Sequence, residues 1–225
     1  MMMIKDDKTV FNNSNTWTFI GRFGKPFLLD YAMEHQCVSQ DGIAELVECM
    51  LQEAAKHLQY DLIIYCFEQY RHRIGIQNLH SMKNIAIDNG DVKMLEFFFK
   101  ESPIKHQQQS VIESYITKSI KHGHVSVLEL IIKQLDNETV LTQIKSKVMS
   151  PLTLDLVNGN DVHMFKYLLD IGVRIDVKAV LSSTGYQSNK NIQLIVDRIR
   201  DAIARRERIQ GQRLKHKARD SNTYN

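Results

Sequence analysis

Apolar residues recur every three or four positions along several stretches of the chain, the spacing that places them on one face of an α-helix. Short polar turns that contain glycine separate these stretches in the middle of the sequence. The pattern predicts helices in antiparallel pairs that stack in one direction. The predicted helices centre on residues 82–88 and 92–101, 111–121 and 125–135, and 151–157 and 162–170.

The turns inside these three pairs are similar and lie in register. They are Asn89-Gly90, His122-Gly123 and Asn158-Gly159, and Val92, Val125 and Val162 follow them. The valines are spaced by about 33 and 37 residues, which indicates an internal repeat. One helix pair cannot bury its apolar side alone, so the repeat predicts a row of stacked pairs. Because glycine tolerates positive φ, we expect Gly90 and Gly123 to adopt left-handed conformations.

The third pair, residues 150–176, has the most detailed pattern. It opens with Ser150-Pro151-Leu152-Thr153, turns at Asn158-Gly159 and ends its second helix at Gly172. Ser150 is suited to accept hydrogen bonds from the free N–H groups of a helix start. Pro151 suits the first helical position, where its missing N–H costs nothing. The stretch therefore predicts a helix that begins at this serine.

This stretch resembles an ankyrin repeat. The family pattern opens with Thr-Pro-Leu-His, where this chain has Ser150 to Thr153, and it places an Asn-Gly turn before the second helix. One departure from the family pattern is an extra residue near Asn160. The other is Asp155, where the family has a small alanine. The connections 101–109 and 136–149 replace the usual hairpin tips, and the second is predicted to hold a short extra helix. Such divergence is similar to the ankyrin-like repeats of large DNA viruses and amoebae.

The resemblance implies an all-α, ankyrin-like solenoid of stacked antiparallel helix pairs with short or missing hairpin tips. We expect a loose segment at 1–22, with Trp17, Phe19 and Ile20 as a candidate anchor, and an array at 23–204. The clearest units lie at about 79–101, 112–135 and 150–176, and a basic, disordered tail follows at 205–225.

The first part of the array fits the repeat less well. Pro26 marks a helix start, and residues 42–51 are the predicted partner of that helix. Residues 61–67 resemble another second helix. Whether 43–58 closes one pair or opens the next is left open by the pattern, which gives four to five pairs in all.

Three adjacent aromatic residues, Phe97, Phe98 and Phe99, cover more than half of a helix circumference. Such a helix needs cover on more than one side, which stacked pairs would supply. The alternative is an exposed binding patch.

Composition is that of a globular chain, with 43% hydrophobic and 24% charged residues and a net charge of +3. No apolar run approaches the roughly 20 residues needed to span a bilayer, and the first residues lack the apolar core of a secretory signal. The odd number of cysteines, Cys37, Cys49 and Cys66, predicts reduced, buried thiols. Reduced thiols favour an intracellular, cytoplasmic location.

The end of the chain is basic, with nine Lys/Arg against three Asp/Glu between Arg198 and Asp220. The basic residues of the tail proper are Arg205, Arg206, Arg208, Arg213, Lys215 and Lys217. A solvated terminus, a nuclear-import signal and a nucleic-acid contact are all compatible with this charge. No aromatic residue interleaves these charges, which argues against a platform for stacking bases.

No catalytic or metal-binding pattern is evident. His122 and His124 form the only close histidine pair, but they lie in a repeat turn, and further zinc ligands at matched spacing are absent from the sequence. Phosphate-binding, dinucleotide and nucleophile-elbow motifs are also absent. The sequence predicts no enzyme, no metal and no cofactor.

The favoured function is a protein-interaction module that holds a partner protein on the concave face, which the resemblance assigns to the first helices and the turns. The candidate partner-binding residues are the polar positions of the first helices: Lys83, Asn84, Asp88, Thr117, Lys118, Lys121, Thr153 and Asp155. The same residues are what a solvated helix face would show. The alternative is a nucleic-acid-associated protein that uses its basic tail.

Overall fold

A computed structural model of the chain describes residues 13–34, 43–71, 74–135, 138–159, 161–201, 203–205 and 208. The described residues are helical or lie in turns, and they contain no strand, so the all-α prediction is confirmed. The α-helices with defined bounds are α1 (Ser14–Phe23), α2 (Pro26–Glu34), α3 (Ile43–Lys56), α4 (Tyr60–Tyr70), α5 (Ile76–Asp88), α6 (Val92–Glu101), α7 (Gln109–Lys121), α8 (Val125–Gln134), α9 (Glu138–Ile144), α10 (Ser150–Asn158), α11 (Val162–Asp170), α12 (Val177–Leu181) and α13 (Thr184–Ser188).

The chain divides into two compact units, Met1–Asp136 and Asn137–Asn225. The predicted array over 23–204 covers parts of both units, and its assignment as a single array stays a prediction. The helices predicted at 82–88, 92–101, 111–121, 125–135, 151–157 and 162–170 correspond to α5, α6, α7, α8, α10 and α11. The extra helix predicted within 136–149 is α9.

In the first unit, alternate helices pack side by side. Helix α1 contacts α3, α3 contacts α5, and α5 contacts α7, while α6 contacts α8. Within pairs, α1 contacts α2, α3 contacts α4, α5 contacts α6 and α7 contacts α8. Each helix therefore packs against its partner in a pair, the first helices form a continuous row, and α6 and α8 also pack side by side.

This arrangement corrects the N-terminal prediction. Residues 14–22, which we expected to be loose, belong to α1. This helix is held in place by Trp17 and Ile20, which are fully buried. Phe19 is not an anchor, since its side chain is 54% exposed and packs on the ring of Phe23 at 4.4 Å. Gly21 lies so close to the Met50 carbonyl of α3 that a β-carbon there would clash with it. The absence of a side chain at this position lets the two helices approach.

The pairing in this region also differs from the prediction. Helix α2, which begins at Pro26, contacts the preceding helix α1 and is a second helix, not a first. Helix α3 pairs with α4, so 43–58 opens a pair. Counting from α1, the described part of the first unit therefore contains four pairs.

The aromatic run at 97–99 is covered, as stacking requires. Phe98 and Phe99 are buried, and Phe97 is half-buried. The ring of Phe67 on α4 lies 5.2 Å from that of Phe97 and 6.0 Å from that of Phe98. The preceding pair therefore covers this helix, and the alternative of an exposed aromatic patch is wrong.

The turns after α5 and α7 share one backbone geometry. After α5, the Asp91 N–H donates to the Ala86 carbonyl at 2.8 Å, and Gly90 has φ of 70°. After α7, the His124 N–H donates to the Ser119 carbonyl at 2.9 Å, and Gly123 has φ of 71°. A hydrogen bond to the carbonyl five residues back, closed around a left-handed residue, is the Schellman ending of a helix. The left-handed conformations predicted for both glycines are confirmed.

The second unit opens with an interrupted helix. Helix α9 continues through a π turn, Lys145–Met149, directly into α10. The Ser150 N–H donates to the Lys145 carbonyl, five residues back. Proline inside a helix lacks the N–H that would bond four residues back and its ring crowds that carbonyl. The π turn, which directly precedes Pro151, accommodates this residue.

Ser150 therefore does not cap a helix start as predicted. Its hydroxyl donates instead to the Arg174 carbonyl at 2.6 Å. The second helix of this pair, α11, is capped at its N-terminus by Asp161, whose carboxylate accepts from the Met164 N–H at 3.0 Å. Gly159 has φ of −78°, and the Asp161 N–H bonds to the Leu156 carbonyl at 3.0 Å.

The rest of the second unit packs around α10. Helices α11, α12 and α13 each contact it. Gly185 of α13 lies against the Val157 carbonyl, where a β-carbon would clash. Residues 190–201 are helical and bury Ile192 and Val196. Among the described helices of the chain, none is both long and apolar enough to cross a bilayer.

Candidate protein-binding surface

The candidate partner-binding residues fall into three groups by exposure. Lys83 and Thr153 are buried, Asn84, Thr117 and Lys118 are half-buried, and Asp88, Lys121 and Asp155 are exposed. The predicted positions are therefore not one uniform polar face. Thr153 and Asp155 belong to the second unit, and the other six belong to the first.

Lys83 is a structural residue, which corrects its assignment as a contact. It is 1% exposed, and its ammonium group donates to the Ser102 carbonyl at 2.6 Å, just beyond the end of α6. The ammonium also lies 5.5 Å from the centre of the Phe99 ring, within the range of a cation–π contact. Burial lowers the pKa of Lys83 to about 8. This side chain holds the connection after α6 and is not available to a partner.

Thr153 is likewise buried, at 2% exposure, and its hydroxyl donates to the Ser150 carbonyl at 2.7 Å. A threonine that bonds back to its own helix leaves no free donor for a partner. Its assignment as a contact is therefore corrected as well.

Asn84 belongs to a polar contact between α5 and α7. Its amide donates to the His80 carbonyl at 3.1 Å, and the His80 Nδ1 lies 2.6 Å from the hydroxyl of the buried Tyr115. Desolvation lowers the pKa of His80, and nearby Lys83 and Lys118 lower it further. Burial raises the pKa of Tyr115. Both groups are therefore held neutral, which suits a hydrogen bond in the interior.

Two of the candidates, Asp88 and Lys118, meet two histidines at the turns, and together they form what we call the turn cluster: Asp88, Lys118, His122 and His124. The Asp88 carboxylate lies 3.0 Å from the Lys118 ammonium and 3.4 Å from the His122 Nε2. The His124 Nε2 lies 3.1 Å from the Asp88 carbonyl. Asp88 ends α5 and the other three residues lie at the end of α7 or the turn after it, so the cluster joins the turns of consecutive pairs.

His124 also explains why position 90 is a glycine. A β-carbon on Gly90 would lie 2.8 Å from the His124 Nδ1. The rings of His122 and His124 stack with an interplanar angle of 13°. The two histidines therefore pack against the preceding turn. Among the described residues, no group of three His, Cys, Asp or Glu could hold a metal ion.

A second set of contacts that ties consecutive turns together was not predicted from the sequence. The Tyr60 hydroxyl donates to the Asp91 carboxylate at 2.5 Å, and the Lys93 ammonium lies 4.8 Å from the centre of the Tyr60 ring. Asp91 also caps α6, since it accepts from the Met94 N–H at 3.0 Å. Burial first, then the hydrogen bond to Asp91, raise the pKa of Tyr60 to about 12. Aligning the residues just after each turn could have pointed to this region, but not to the tyrosine.

The Cys66 thiol carries no sign of reactivity. Cys66 is buried, and desolvation raises its pKa to about 12, so it is a protonated core residue. Cys49 is half-buried and also free. Reactive cysteines have lowered pKa values. Cys37 lies outside the described residues.

Most of the basic tail also lies outside the described residues. Arg205 and Arg208 are described, and both are helical and exposed. The structure of Arg206, Arg213, Lys215 and Lys217 is not described.

Comparisons with protein-family models, with curated proteins and with solved structures find no match.

Proposed function

We propose that the chain is a protein-interaction module of the ankyrin-like type, in which the turn cluster of the first unit and the neighbouring Lys121 contact a partner protein. The observation that carries the proposal is the repeated helix pair with the same left-handed turn. Repeat arrays of this kind present a row of equivalent surface positions, which is how they bind partners.

The packing of the first unit supports a solenoid. First helices α1, α3, α5 and α7 contact one another in sequence order, and second helices α6 and α8 also contact each other. A closed bundle would require contacts between helices distant in order. Nearest-neighbour packing is the defining property of a solenoid.

The chemistry of the turn cluster suits an exchangeable contact. The side chains of Lys118, Asp88 and His122 are 35%, 40% and 48% exposed. Ion pairs at such exposure contribute about 0–1 kcal/mol each, so a partner can replace them at little cost. Lys118, His122 and His124 contact Asp88, and Lys121 lies in the same last turn of α7. This excess of basic groups favours a partner that presents carboxylates.

Charge reversal tests this surface. The variant Lys118→Glu with Lys121→Glu changes two lysines in the last turn of α7. Lys100→Glu with Lys133→Glu is the matched control, because these lysines lie in the last turns of α6 and α8. Both variants change the net charge equally. We expect affinity capture with mass spectrometry to lose the partner with the first variant and keep it with the second.

Equal capture by both variants would show that the turn cluster is not the contact. The same capture with a 1–204 truncation should retain the partner, since the proposed surface lies in the first unit. The free thiols at Cys49 and Cys66 support an intracellular location for this interaction.

The basic tail carries a second candidate function, nucleic-acid association, and it rests on the excess of Lys/Arg after Arg198. Phosphate contacts give an affinity that falls with salt by a log–log slope of about −0.9 per phosphate. Fluorescence anisotropy with duplex and single-stranded probes at two salt concentrations tests it. Tight, salt-dependent binding that is lost in the 1–204 truncation would favour this function over protein binding. Such a tail would also suit a nuclear location.

A further inference from the structure

The second unit contains a cavity of about 510 Å³ beside the π turn. Among the residues that the structure describes, its lining residues are Thr142, Lys145, Ser146, Ser150, Gly172 and Arg174. These are two cations, three hydroxyls and a glycine, and no carboxylate is among them. Concave sites with a few convergent polar groups are where proteins bind small ligands. We propose that this cavity binds a phosphate monoester group, a role separate from the proposed protein-binding surface of the first unit.

The charge of the cavity is not neutralised from within the described residues. Lys145 is half-buried and Arg174 is exposed, and neither forms an ion pair with another described residue. The nearby Asp176 carboxylate accepts from the Lys178 and Ala179 N–H groups at the start of α12. The two cations therefore remain available for a ligand of charge about −2, which is the charge of a phosphate monoester at neutral pH.

The backbone holds the two sides of the cavity together. Lys145 and Ser146 lie on the π turn, a feature that is frequent at functional sites. The Ser150 hydroxyl donates to the Arg174 carbonyl and fixes the segment after α11 against the start of α10. Gly172 has φ of +85°, and a β-carbon there would meet no atom within 4 Å. Ligand atoms can therefore approach the backbone on that side.

The hydroxyls can turn toward an anion. Thr142 donates to the Glu138 carbonyl at 2.8 Å and Ser146 to the Gln143 carbonyl at 2.9 Å. Both side chains are exposed, and a hydroxyl hydrogen rotates to suit its surroundings. A hydrogen bond to an ionised oxygen is about twice as strong as a neutral one. Exchanging the carbonyl for a phosphate oxygen is therefore favourable. The volume exceeds that of a phosphate group, so the ester body enters as well.

The test is calorimetric titration of the full chain at fixed ionic strength. The probes are inorganic phosphate, glycerol 3-phosphate and a blocked phosphoserine, with glycerol and blocked serine as uncharged counterparts. We expect at least one of the two esters to bind saturably while its uncharged counterpart does not. Stronger binding of glycerol 3-phosphate would identify a free metabolite as the source of the group. Stronger binding of the phosphoserine would identify a phosphorylated side chain.

Matched variants locate the site. Ser146→Glu places a carboxylate in the cavity, and Gln143→Glu places one at an exposed position of α9 that does not line it. We expect the first to weaken ester binding by about tenfold or more and the second to leave it unchanged. Lys145→Met compared with Lys147→Met provides the same contrast by charge removal, should the first variant fold poorly. Absence of saturable binding of either ester below about 10 mM, or equal losses in cavity and control variants, would overturn the proposal.

Discussion

The turn at Leu58 and the turn at Gly90 have the same backbone but different residues at the left-handed position. After α3, the Gln59 N–H donates to the Ala54 carbonyl at 2.8 Å, as Asp91 does to Ala86. Leu58 has φ of 56°, and Gly90 has φ of 70°. A leucine in this conformation costs roughly 1–2 kcal/mol that a glycine avoids. The packing of the pairs therefore imposes this helix ending, and a glycine only reduces its conformational strain.

The two turns also differ in their ties to the next pair. Near Leu58, the tie is the half-buried hydrogen bond from Tyr60 to Asp91. At Gly90, the tie is the exposed turn cluster, in which His124 packs on the glycine itself. The turn at Leu58 thus has a more strained backbone than the turn at Gly90. Its hydrogen bond to the next pair is better shielded from solvent. Substitutions in the turns and their ties separate these contributions.

Gly90→Val is expected to have the largest effect, a destabilisation of about 2–3 kcal/mol. Its cost combines backbone strain with a clash against His124. Gly172→Val is the matched control, since Gly172 is also left-handed but has open space around it. The control should cost less, and chemical denaturation with urea measures both. Equal losses would show that His124 yields freely, and His124→Ala combined with Gly90→Val should then bring no recovery.

Leu58→Gly should raise the free energy of unfolding by about 1 kcal/mol, because it relieves the left-handed strain of a side chain that is 47% exposed. Leu58→Ala removes the same side chain beyond its β-carbon and keeps the strain. We expect it to lie within about 0.5 kcal/mol of the wild type. A Leu58→Gly variant that is less stable than Leu58→Ala would mean that this turn is not strained.

The two turns also show which parts of the fold could be predicted from the sequence. Helical spacing and the glycines at 90 and 123 were sufficient to predict α5 to α8, because there local preference and packing agree. The turn at Leu58 carries no glycine, so the same search could not find it, and the pairing of α1 with α2 was assigned one helix out of step. The buried state of Trp17 depends on long-range contact with α3, which no local pattern contains.

The candidate surface was predicted less well than the fold. Polar residues at equivalent helix positions have different surroundings: Lys83 turns inward to the Ser102 carbonyl, while Lys121 stays in solvent. Ser150 and Pro151 have the residue types of a helix start, yet α9 runs through them by a π turn. Helix caps are defined by the preceding residues as well as by the cap itself, and the apolar run at 140–148 already favoured continuation.

Tyr60→Phe should destabilise the first unit by about 1 kcal/mol through loss of the hydrogen bond to Asp91. Asp91→Asn keeps an acceptor for the Met94 N–H and so retains the helix cap while removing the charge. A double-mutant cycle of the two changes isolates the tie from the cap. A coupling energy of zero would mean that Tyr60 contributes only by packing its ring beneath Lys93.

Lys118→Met should have the smallest effect, a loss of about 0.2–0.5 kcal/mol, because the ion pair with Asp88 lies in solvent. The methionine keeps the aliphatic stem of the side chain, so the variant removes charge without removing packing. Salt screens exposed charges but not a half-buried hydrogen bond. The loss from Lys118→Met should therefore vanish at high salt, while the loss from Tyr60→Phe persists. Thermal melts of both variants at low and high salt give the contrast directly. A Lys118→Met loss that is large and independent of salt would mean that the turn cluster is a structural tie like Tyr60 and Asp91, and would weaken its assignment as an exchangeable contact for a partner.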